Sequence, residues 1–232
     1  MAAIHSEGRR GEDVRQGRTL PSDSDQTGDS GMSANISEVD AQRAGLYGLL
    51  ARVLGAPMSD ETLEIVRALE KSNTDTDTEL GAALASLGAM AARTTRTGAE
   101  EEYSALFFGH GAGGEMHPYA SQYLTGFVYE KPLAKLRHDM DAIGVAASGS
   151  SSEPEDHIAY LCEIMHGLIT GAFGEPAVLS AQQKFYETHM ASWAGQFFTD
   201  LEGAESAALY MPVGTIGRLF LAIEAEAFEM AA

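Results

Sequence analysis

The segment of this chain richest in reactive groups is Glu153-Pro154-Glu155-Asp156-His157, which follows Ser148-Gly149-Ser150-Ser151-Ser152. Carboxylates and an imidazole stand behind a flexible tether and ahead of the apolar run Ile158-Ala159-Tyr160-Leu161-Cys162. Ser152 and Glu155 read as a capping box. That reading puts Asp156 in the first turn of a helix, at an exposed helix start where backbone amides favour negative charge. There Asp156 can offer an arginine a bidentate, directional contact. His157 can hold a neighbouring segment by hydrogen bonding, and Tyr160 and Leu161 begin an apolar wall. An acid beside an apolar wall suits a peptide that is both basic and hydrophobic. The plain structural alternative is that Asp156 caps the helix and His157 packs against the preceding lobe. The pair does not make a catalytic dyad, because adjacent helical residues diverge by about 100°.

Three other sets of residues invite chemistry. Gly109-His110-Gly111-Ala112-Gly113-Gly114-Glu115 offers flexible backbone amides to a phosphate. A P-loop needs Gly-Lys-Ser/Thr at that point, and Glu115 stands there instead. Glu163-Ile164-Met165-His166 matches the Glu-x-x-His spacing of di-iron bundles, but a second copy is missing. His189 and Glu187 lie two apart and face different sides of a helix. No serine or cysteine sits in a recognisable nucleophile motif. We therefore expect no enzyme and no metal site.

The elements that must position these residues read as helices almost throughout. Ser37 caps a helix carrying Leu46, Leu50, Val53 and Leu54, stopped by Gly55 and Pro57. Helices are expected over about 60–71, over 80–90, and from a capping box at Thr97 and Glu100 through Phe107. Others are expected over about 132–143 and from the Ser152 box to about 169. A third box, Ser180 to Gln183, opens a helix reaching Leu201, and a last helix covers about 213–230. The expected fold is an all-α bundle of about eight to ten helices. Residues 1–36 are polar and glycine-rich, and predict a disordered tail. The remaining chain divides into an N-terminal lobe, 37–147, a hinge, 148–152, and a C-terminal lobe, 153–232.

Composition narrows the partners. The formal net charge of −19 argues against nucleic acid and anionic lipid. The excess acid lies in the body of the chain, not in the tail. The one cysteine, Cys162, forms no internal disulfide and reads as a core residue. No apolar run approaches the roughly 18 residues of a membrane span. Arg9-Arg10 is followed by Gly11-Glu12-Asp13 and not by the apolar region of an export signal. A cytoplasmic location is expected.

Three ordered blocks resemble the TorD/DmsD family of molybdoenzyme chaperones. The first is Tyr103-Ser104-Ala105-Leu106-Phe107-Phe108-Gly109 with Pro118, Ser121 and Tyr123 downstream. The second is Glu153-Pro154-Glu155-Asp156-His157, similar to the family's Glu-Pro-x-Asp-His motif. The third is Phe185, His189, Trp193, Phe197 and Leu201, which by spacing also reads as core packing. The glycines at 111–114 depart from the compact family loop. The resemblance implies a cytoplasmic chaperone that binds the twin-arginine signal peptide of an apo molybdoenzyme. It implies that export is delayed until molybdopterin guanine dinucleotide is inserted. It assigns signal-peptide binding to Asp156 and His157, with Glu153 and Pro154 setting the hinge and helix entry; Tyr160 joins them through the apolar wall read above. It marks Phe107, Gly109, Pro118, Ser121 and Tyr123 as loop residues that could contact cofactor. No tightly bound cofactor is expected, only transient cofactor or guanine nucleotide, and the chain is a monomer or a domain-swapped dimer. The alternative is a helical protein that binds nucleotide or cofactor through Gly109–Gly114.

Overall fold

The computed structural model describes residues 36–72, 76–109, 113–145 and 153–231. Among them stand ten α-helices, a π-helical turn and no strand. The helices are α1 (Glu38–Gly55), α2 (Asp60–Ser72), α3 (Glu79–Arg93), α4 (Arg96–Tyr103) and α5 (Ala120–Thr125). They continue with α6 (Lys131–Ala142), α7 (Ile158–Thr170), α8 (Leu179–His189), α9 (Ala194–Gly203) and α10 (Met211–Ala231). The π-helical turn, Ser104–Phe108, continues α4. The hinge at 148–152 and all but the last residue of the expected tail lie outside the described residues. The Gly109–Gly114 loop is described only at its ends.

α7 is the central helix. Ile158, Leu161, Cys162, Ile164, Met165, Leu168 and Ile169 are buried around most of its circumference, which leaves Glu163 on its one exposed edge. Burial also pushes the Cys162 thiol well up from its ordinary pKa, which leaves it inert. α1 lays Ala44, Tyr47, Leu50, Val53 and Leu54 against α7. α3 packs on α10, so helices on both sides of residues 148–152 share one core. A buried ion pair ties α1 to α10: Arg43 Nε donates to Glu224 Oε1 at 2.6 Å and Nη2 to Oε2 at 2.8 Å. Tyr47 donates to the same carboxylate at 3.1 Å.

Several helix ends differ from the sequence reading. Ser37 caps α1 as expected, accepting from Asp40 N at 3.0 Å. α4 is capped by Thr95, not Thr97; the Thr95 hydroxyl accepts from Gly98 N, while Glu100 pairs with Arg96. α8 begins behind Val178 with no side-chain cap, and Gln183 bonds Glu187 instead of closing a box. The single helix expected from 180 to 201 is two. The chain turns at Met190–Trp193, where the Trp193 indole donates to the last carbonyl of α8, His189 O, at 2.7 Å. α7 starts at Ile158, with His157 as its cap, and not at a Ser152 box.

Candidate functional site

The N-terminus of the central helix meets the chain just before α5. Residues Tyr119 and His157 form an isolated antiparallel bridge. Ala120 N donates to Asp156 O at 3.0 Å, and Ile158 N donates to Pro118 O at 2.9 Å. Behind the bridge, Pro154–His157 turns tightly, with His157 N donating to Pro154 O at 3.1 Å. The second and first sequence blocks are thereby locked together.

Asp156 is 1% exposed, which corrects the expectation of an exposed helix start. It does not lie in α7 at all. Its Oδ2 accepts from Ser121 N at 2.8 Å, so it caps the first turn of α5 from across the bridge. Its Oδ1 and the buried Ser121 Oγ have no hydrogen-bond partner. His157 is buried too, and its Nδ1 accepts from Ala159 N at 3.1 Å. Burial pulls its pKa down to about 4. The ring is therefore neutral at pH 7, with the proton on Nε2. It stands edge-on to Tyr119, ring centroids 5.2 Å apart.

Side chains alternate across a bridge, so its two sides serve two cavities. On one side, Tyr119 and His157 line a cleft of about 300 Å³. Glu153, Pro118, Tyr103, Phe107 and Phe108 complete it with the end of α1, Gly55–Pro57. Glu153 is half-buried and accepts a short hydrogen bond from the Tyr119 hydroxyl. Tyr103 donates to Leu54 O at 3.0 Å, and burial together with the Glu153 charge pushes its pKa up to about 12. Phe108 is 56% exposed. On the other side, Ala120 and Asp156 line a mostly apolar cavity of about 340 Å³ with Leu124, Pro132, Leu136 and Leu161.

The structure therefore brings Glu153, His157, Phe107 and Pro118 into one cleft and sets Asp156 and Ser121 behind it. Pro154 is buried in the turn. Tyr160 is half-buried against the core and does not line the cleft. Tyr123 faces elsewhere: its hydroxyl donates to Asp200 at 2.9 Å and its ring packs on Trp193. Gly109 has φ 64°, and a Cβ there would sit 1.7 Å from Gly113 O, so the glycine is needed to close the loop. Tyr103, Phe108 and Tyr119 were not singled out as site residues from sequence. Their signal was adjacency, since each lies inside or beside the first block. Glu163 and His166 line one broad groove with α1 to α3, but His166 Nδ1 is spent on Ala44 O at 2.8 Å and Glu163 is exposed.

The described residues define an all-helical fold with a carboxylate-bearing aromatic cleft at the start of its central helix. The pattern of the nitrate reductase delta subunit family matches residues 73–199. The chain belongs to that family, the TorD family. It is 29% identical over 111 residues to the chaperone protein TorD of Vibrio cholerae serotype O1, strain O395. It is 27% identical over the same length to that of strain N16961. These matches cover 45% of this chain and 50% of each relative, so the chain spans about half the length of the curated relatives it matches. The fold is similar to that of an Archaeoglobus fulgidus protein assigned to redox enzyme maturation. The TM-score is 0.53 at 19% identity, over 78% of this chain and 93% of that one.

Proposed function

We propose that this chain is a maturation chaperone that binds the twin-arginine signal peptide of a molybdenum-cofactor oxidoreductase. In this reading it holds the apoenzyme in the cytoplasm until the cofactor is inserted. One observation carries it: an acid-bearing cleft with aromatic walls at the Glu153–His157 segment. A cation flanked by apolar residues is the ligand such a surface selects. Glu153 and His157 line the cleft, Pro154 turns the chain into it, Asp156 shapes it from behind, and Tyr160 supports the helix. Burial of the peptide's apolar stretch supplies the rest of the affinity.

Calorimetric titration with an Arg-Arg signal peptide and with its Lys-Lys version tests this. Binding of the first with clear preference over the second is expected. No binding to the signal of any molybdoenzyme encoded beside this chain would sink the proposal.

A second reading has one feature in its favour. A polar cavity of about 600 Å³, lined by Glu115, His117, Gln122, Tyr123 and Asp200, lies beside the end of the glycine loop. Its carboxylates suit the donor edge of a guanine but repel a diphosphate. Thermal stabilisation by guanine nucleotide or molybdopterin cofactor would support transient binding there. No shift at saturating ligand would remove it.

A further inference from the structure

We propose that residues 126–130 form a strap that closes over the second cavity with the Phe127 ring as its plug, and that the strap alternates between this inward position and the outward one described above. The strap does not depend on the signal-peptide reading.

The strap joins α5 to α6, and both of its ends are built into the cavity wall. Leu124 and Thr125 line the cavity just before it, and Lys131 and Pro132 line it just after. The segment is therefore anchored on two sides of one opening, and rotation within five residues sets which way its side chains face. In the outward position they face solvent. Phe127 is 69% exposed, and Leu124, Val128 and Tyr129 are exposed with it. Such a run differs from the single apolar residues that a surface tolerates without consequence.

The backbone that holds these side chains out is strained. Gly126 ends α5 at φ 81°. Tyr129 has φ 63°, the one non-glycine residue with positive φ among the described residues. A bulky side chain makes that conformation unfavourable. The tether beside it is weak: Phe127 N donates to Thr125 Oγ1 at 3.3 Å, long for a hydrogen bond.

The cavity suits the ring. Its volume of about 340 Å³ exceeds the roughly 150 Å³ that accepts a benzene molecule. Leu124, Leu136 and Leu161 make its lining apolar, and Thr188 and His189 of α8 form the far rim. The charged groups of that rim are already engaged, since His189 Nε2 and Lys135 Nζ both bond Asp139 Oδ2, at 3.0 and 2.6 Å. Asp156 Oδ1 is buried with no hydrogen-bond partner. A ring offers it the positive edge of an aromatic quadrupole, which an aliphatic plug lacks. Turning Phe127 inward buries ring surface, fills a void and lets Tyr129 leave the left-handed region. With the strap in, the protein has less apolar surface through which to aggregate; with it out, it has more with which to hold an apolar segment.

The test is hydroxyl-radical footprinting of the full chain, read by mass spectrometry as oxidation of Phe127 relative to Phe108. Phe108, 56% exposed, is the internal reference of equal intrinsic reactivity. The parent should oxidise Phe127 at about a third of the Phe108 rate or less, although Phe127 is the more exposed in the outward position. Thr188→Trp fills the cavity from α8 and should raise Phe127 oxidation about threefold. Tyr129→Asn, at an exposed position, should do the same from the strap, because asparagine accepts the left-handed region and favours the outward position. If Thr188→Trp melts well below the parent, Tyr129→Asn carries the test. Equal oxidation of Phe127 and Phe108 in the parent, unchanged in the variants, would mean that the strap stays outward and would overturn the proposal. Protection that disappears on hundredfold dilution would assign the cover to a second copy of the chain, and would overturn it too. So would protection that persists in both variants, since the ring would then lie against something other than the cavity.

Discussion

A histidine that caps a helix with Nδ1 must keep that nitrogen free of a proton, and His157 does so only while neutral. Its folded pKa of about 4 lies below the ordinary histidine value of 6.5. The stabilisation from keeping the ring neutral is therefore complete above pH 6.5 and is lost as pH falls toward 4. The size of that loss is about 3 kcal/mol. His157→Asn retains a side-chain oxygen for the cap and removes the titration. Melting curves from pH 7 to 4 should fall more steeply for the parent than for this variant; parallel curves would contradict the assignment. The motif itself was legible in the sequence, but its burial was not. Asp156 looks exposed when only the helix that follows it is considered. The true partners of Asp156 and His157, Pro118 to Ser121, lie far along the chain, where neither periodicity nor capping rules reach. Tyr119 was overlooked for the same reason: its importance comes from the bridge, and a one-residue bridge leaves no alternating pattern to read.

At the level of elements, the order of helices followed from apolar spacing, and most of their ends did not. Phe185, His189, Trp193, Phe197 and Leu201 recur at four-residue intervals straight through the break between α8 and α9. The pattern persists because Phe185, Trp193, Phe197 and Leu201 all pack into one core, with Trp193 in the turn itself, so periodicity cannot see the break. The small α5 escaped notice because its cap comes from Asp156 and not from a neighbour in sequence. Close approaches are a second property that spacing hides. α2 and α3 pack so tightly that a Cβ on Gly88 would stand 2.4 Å from Glu70 N, a backbone atom that cannot swing aside. Gly88→Ala should destabilise the fold by about 1–3 kcal/mol despite its better helix propensity. Urea unfolding measures this, and a neutral or stabilising result would show that the two helices separate freely.

Across the whole molecule, helical spacing identified the class of fold, while the formal charge of −19 argues only against nucleic acid and anionic lipid as partners. Family membership then rests on ordered blocks, which the match over residues 73–199 spans in part. If a basic peptide is the ligand, the global charge should accelerate its approach. Association with an Arg-Arg peptide should slow as salt is raised from low to physiological concentration, while dissociation changes less. Stopped-flow kinetics reads both, and a salt-independent association rate would mean that the acidity serves solubility alone.

The Tyr119–His157 bridge has a temporal meaning as well as a spatial one. It closes a long excursion of chain that contains α5 and α6, and closing such a loop costs entropy before any contact repays it. The cleft has one wall on each side of that closure. The cleft therefore exists only once this contact has formed, and a chain with an open bridge lacks both walls in register.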